Sequence, residues 1–136
     1  MGTRTDAWIF LAIARAAQDG AAPLDAVLSC ADHINVAIPT REELEQSVGR
    51  LSAANWVSVE GNRFALLPNG RRVFDQVDSQ DAFPRNQPEI VERLLNILRP
   101  LPRVRAVWHL SDKDFHAAVD QHNRTMKAAW KGLTKT

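Results

Sequence analysis

Thr40-Arg-Glu-Glu-Leu-Glu-Gln-Ser-Val-Gly-Arg-Leu-Ser-Ala-Ala-Asn-Trp-Val-Ser-Val-Glu-Gly-Asn-Arg-Phe-Ala-Leu-Leu67 is the stretch whose reading decides the fold. Thr40 and Glu43 stand as T-x-x-E, the capping box in which each side chain satisfies a backbone amide of the other residue. The box predicts a helix over residues 41 to about 54, with Leu44, Val48, Leu51 and Asn55 on its inner face. Trp56-Val-Ser-Val-Glu60 then alternates as a strand does, and Arg63-Phe-Ala-Leu-Leu67 can pair back with it. Between them Gly61-Asn62 suits a two-residue hairpin turn, glycine supplying the positive φ.

Working outward, Asp6 is the expected N-cap of a first helix over residues 7–18, closed by Gly20. Its Trp8, Ile9, Phe10, Leu11 and Ile13 are apolar nearly all round, which marks a buried helix. Pro23 suits the first turn of a second helix, where Leu24, Val27, Leu28, Ala31 and Ile34 recur at helical spacing. Pro39 ends it and pushes Ile38 toward extended geometry. Beyond the hairpin, Pro68-Asn69-Gly70 reads as a second turn and residues 71–77 as a helical segment. Residues 78–87 read as a polar linker. Pro88 opens a helix over 88–99, Pro100 and Pro102 break the chain, and 103–110 alternates as a short strand. Ser111 caps a final helix from Asp112 to about residue 131. The expected fold is mainly α with a small β-hairpin, an α+β class: a domain over 1–77, a linker over 78–87 and a helical extension over 88–136.

A chain of 136 residues suits one domain or a small domain with an extension. Cys30 is the only cysteine, which rules out an internal disulfide and a cysteine-rich zinc site, and favours the cytoplasm. The uncharged apolar run over residues 7–14 is too short to span a bilayer, so no membrane partner is expected. The net charge of +1 hides a split. Residues 1–77 carry 7 Lys plus Arg against 9 Asp plus Glu, whereas 78–136 carry 10 against 7. A nucleic-acid reader concentrates positive charge on its reading domain, and here that domain is the acidic half.

Leu51-Ser-Ala-Ala-Asn-Trp-Val57, Gly61-Asn-Arg-Phe-Ala-Leu66 and Gly70-Arg-Arg-Val-Phe74 resemble the end of the recognition helix, the wing and the following turn of bacterial winged helix-turn-helix regulators of the MarR and PadR kind. Those families close the wing with Leu-Thr and a later Gly; here Leu66-Leu67 replaces the pair and Gly70 keeps its place. The stretch from Ala31 to Leu44 resembles a segment of uncharacterised bacterial wing-type proteins. The resemblance covers a little over half the chain. It implies a winged helix-turn-helix plus a C-terminal helical extension, DNA binding as a homodimer through helices outside the wing, and a role in transcription regulation.

On that reading Arg41, Gln46 and Arg50 of the third helix would meet the groove or its rim, and Arg63, Arg71 and Arg72 would hold phosphates. Glu42, Glu43 and Glu45 oppose it, unless they only complement the helix N-terminus. Gly49 and Ala53 form a small-residue strip that another helix could approach closely. Phe115, Val119, His122, Met126, Trp130 and Leu133 make one apolar stripe on the final helix, which packs on the first domain or forms a dimer interface. The rival function is a protein-interaction module using the acidic third helix and its small-residue face. The histidines have no metal-ligand spacing, no catalytic or cofactor motif is visible, and neither an enzyme nor a cofactor is expected.

Overall fold

The computed structural model describes residues 4–35, 37–79 and 108–134. It is mainly helical, with a small antiparallel sheet. The element order is α1 (Arg4–Ala16), β1 (Ala22–Pro23), α2 (Leu24–Asn35), α3 (Arg41–Ala53), β2 (Val57–Glu60), β3 (Arg63–Leu66), α4 (Pro68–Ser79) and α5 (Asp112–Thr134).

Helix α1 forms the centre. Every residue over 7–14 is buried, because α2, α3, α4 and the sheet surround it. Its only indole is satisfied within this core: Trp8 Nε1 donates to the Ala31 carbonyl of α2 at 2.9 Å. Phe10 meets Trp56 edge-on at 5.2 Å, which ties α1 to the start of β2. Leu44, Val48 and Leu51 carry α3 into the same core, as their spacing requires.

The capping box of α3 forms in full, with Glu43 N donating to Thr40 Oγ1 and Thr40 N donating to Glu43 Oε1. Asn55 is not on the inner face of α3. It follows the helix in the left-handed region, φ 62°, and is exposed; asparagine tolerates that conformation, and it turns the chain into β2. The hairpin pairs Val57 with Leu66 and Glu60 with Arg63 around Gly61, whose φ is 60°.

Three further expectations about helix starts and turns need correction. Asp6 is no N-cap, because α1 already begins at Arg4 and Asp6 lies buried in its first turn. Pro23 does not open α2. It pairs with Arg63 in a two-residue strand that alternation could not reveal, and α2 starts at Leu24. Pro68-Asn69-Gly70 is not a separate turn but the first turn of α4, where proline's missing amide costs nothing. There Gly70 packs so closely that a Cβ would stand 2.0 Å from the Trp56 carbonyl oxygen.

Helix α4 runs through Asp78 and Ser79, the first two residues read as linker. The rest of that linker, the helix expected over 88–99 and most of the expected strand lie outside the described residues. Residues 108–110, the described end of that strand, have no regular structure. In the described part of the extension, Leu110 and Ala118 belong to the same core cluster as α1.

Candidate interaction face around α3

The C-terminal segment wraps the outer side of the helical domain at two places. At the hairpin, Trp108 lies edge-on to Phe64 at 5.6 Å, and its Nε1 donates to the Gly61 carbonyl in the turn at 3.1 Å. At α3, Glu45 Oε2 accepts from the Leu110 amide at 2.9 Å and lies 3.2 Å from His109 Nδ1. Ser111 Oγ then accepts from Asp114 N and caps α5.

Arg41 sits in the middle of this junction. Its Nε is 2.8 Å from Asp112 Oδ1, Nη1 donates to Glu45 and to the Leu110 carbonyl, and Nη2 donates to Glu42. The guanidinium therefore joins the start of α3 to the start of α5. Arg50 is spent in a second place. Its Nε and Nη2 donate to both oxygens of Asp6 at 2.9 and 2.8 Å, and Ser47 Oγ donates to the same carboxylate at 2.6 Å. Asp6 is fully enclosed, so a charge that would be prohibitive alone is matched by a bidentate cation and a hydroxyl.

Of the six residues proposed to touch DNA, these two arginines are thus engaged inside the chain. Gln46 is exposed beside a shallow hollow of about 220 Å³ bordered by Thr5, Glu43, Ser47 and Arg50. Arg63 and Arg71 reach back to the α1–β1 connection, donating to the Ala21 and Gln18 carbonyls. Arg72 is exposed. The structure does not bring the six onto one surface of free charge.

Gly49 is buried and Ala53 half-buried, although both lie away from the Leu44–Val48–Leu51 stripe. Helix α3 is therefore enclosed on more than its core side. Phe115 and Val119, two of the six residues of the expected stripe, pack against the chain's own core. Met126 is 44% exposed, and the side chain of Trp130 lies outside the described ones.

One polar cluster is deeply placed. His122 of α5 is buried between two residues of α2, with Nδ1 2.6 Å from Ser29 Oγ and Nε2 3.2 Å from Asp32 Oδ2. A ring nitrogen facing a carboxylate carries the proton, so in the neutral ring Nδ1 accepts from the serine hydroxyl. Serine, histidine and aspartate in contact invite comparison with a nucleophilic triad. Yet Ser29 lies mid-helix, where the backbone amides are committed to helical bonds and none is free to hold an oxyanion. Burial also pushes the neighbouring Cys30 thiol up, Arg15 opposing the shift, which disfavours the reactive thiolate. Among the described residues no cluster of metal-ligating side chains occurs, and no helix is long and apolar enough to cross a membrane.

Sequence reasoning missed the Asp6–Arg50 pair, the docking of residues 108–112 and the His122 contact. Two had a signal. Asp6 directly precedes the uncharged apolar run over residues 7–14, and His122 is the one polar member of the α5 stripe; a polar residue in a buried position requires a partner. No family model, curated protein or solved structure matches the chain.

Proposed function

We propose that this chain is a non-enzymatic winged-helix domain that works by binding another protein, its third helix and wing turn being closed to DNA by its own C-terminal segment. The succession α1-β1-α2-α3-β2-β3, with a tight hairpin after the third helix, supports the winged-helix reading. The observation that carries the functional choice is the double contact of residues 108–112, on the hairpin turn through Trp108 and on the start of α3 through Leu110 and Asp112. A recognition helix must lay its N-terminal turns into the major groove, and here those turns are held by the chain itself. The exposed residues of α3 are Glu42, 65% exposed, and Gln46, while Glu43, Glu45 and the internally paired Arg41 and Arg50 are partly exposed. Such a surface repels phosphate and suits a basic protein segment.

The second reading, a DNA-binding transcription regulator, is favoured by the same element order and by Arg63, Arg71 and Arg72 on the hairpin and α4. The two readings separate in a titration of the full chain with a nonspecific duplex at low and moderate salt. Those three arginines could release few counterions, so weak binding with a log–log salt slope no steeper than about −3 is expected. Tight binding with a slope of about −6 or steeper would reinstate the regulator and contradict the closure of α3. The homodimer expected from the α5 stripe is not required by the protein-binding reading.

A further inference from the structure

We infer that α5 is a hinged lid over α2, closed by a polar latch at His122, and that it opens as a unit while the α1–α3 core stays folded. Three features place the hinge, the grip and the latch.

The stem before α5 is anchored firmly. Leu110 is fully buried and Trp108 is fixed to Phe64 and Gly61. The hinge is Ser111, outside any element, which caps α5 with its own hydroxyl. The helix therefore needs nothing from the domain to complete its N-terminus. Asp112, paired with Arg41, lies at the pivot and is 78% exposed, so this pair can persist while the rest of the helix moves.

The grip beyond the hinge is small. Ala118 and His122 are the buried side chains of α5 among the described residues, whereas Phe115 and Val119 are half-buried. In α1, by contrast, Ala7 through Ala14 are all buried. At the deepest point, where an amphipathic helix ordinarily places leucine, α5 places a histidine hydrogen-bonded to Ser29 and Asp32. Opening exchanges those hydrogen bonds for bonds to water, a nearly balanced exchange, while exposing a leucine would forfeit its full apolar transfer energy. The ring is also satisfied in either protonation state, because the Ser29 hydroxyl can donate or accept. A latch of this chemistry closes specifically and releases readily. Opening uncovers the face of α2 that carries Ser29 and Asp32 and widens a groove of about 450 Å³ between Ile38 and Pro39 on one side and Phe115 and Val119 on the other.

Amide hydrogen–deuterium exchange on the full chain tests this, in the parent protein, in Ser29→Ala and in His122→Ala. In the parent, α5 amides should exchange at least tenfold faster than those of α1, through an opening smaller than global unfolding. Ser29→Ala should accelerate α5 about fivefold and His122→Ala about 30-fold, with α1 unchanged. Equal protection of α1 and α5 in the parent overturns the lid, whatever the variants do. So does parallel acceleration of both helices in Ser29→Ala, or global unfolding of His122→Ala. None of these outcomes depends on DNA or on a partner.

Discussion

Asp6→Ala is expected to cost about 3 kcal/mol of stability, read by urea unfolding of the full chain. The carboxylate is fully enclosed and receives both arms of Arg50 and the Ser47 hydroxyl. Its removal leaves a guanidinium only 19% exposed and a buried hydroxyl, each without its acceptor. Because Arg50 can turn partly toward water, the value sits at the low end for a broken buried pair. The double change Asp6→Leu with Arg50→Met removes both charges and should recover most of the loss, since buried pairs are often no better than apolar replacements. A loss below about 1 kcal/mol for Asp6→Ala would place the pair among ordinary surface bridges. The same logic separates two roles for Arg50. A groove-reading arginine can be removed without harm to the fold, whereas Arg50→Ala should destabilise the chain because the buried Asp6 carboxylate loses its bidentate cation.

Gly70→Ala should also lower stability by about 3 kcal/mol, against the sign of helix propensity. Alanine in place of a helical glycine normally gains about 1 kcal/mol. Here the added Cβ would meet the Trp56 carbonyl oxygen at 2.0 Å and its carbon at 2.9 Å, both backbone atoms that cannot rotate away. The start of α4 would have to lift off β2, straining the Leu67 N–Trp56 O bond of 3.0 Å that joins them. Thermal unfolding decides the sign. An unchanged or higher melting temperature would mean that α4 does not approach Trp56 so closely.

Gly70 illustrates how much the sequence disclosed. Its presence after the hairpin was legible, but as a turn glycine. The need for it arises from a contact fourteen residues back in the chain, which no local pattern encodes. Signals carried by neighbouring residues along the chain were readable: the Thr40–Glu43 box, the Gly61-Asn62 turn, the apolar run of α1, the apolar stripe of α3 and the Ser111 cap. Each is a short-range hydrogen-bond or periodicity rule. Strand β1 was not readable, because two residues are too few to alternate and Pro23 points equally to a helix start. The candidate site was least legible. Arg41 and Arg50 have the residue type and helical position of DNA contacts, and only tertiary structure reveals that Asp112 and Asp6 already hold them.

Arg41 and Arg50, the arginines of α3, are committed inside the chain, and their side-chain Nε–H groups report this directly in NMR. Arg41 Nε is 2.8 Å from Asp112 and Arg50 Nε is 2.9 Å from Asp6. In the full chain both Nε–H resonances should be dispersed and slow to exchange with water, while that of exposed Arg72 exchanges rapidly; adding duplex should leave the first two unmoved. Arg41 and Arg50 exchanging as fast as Arg72, or shifting when duplex is added, would contradict it.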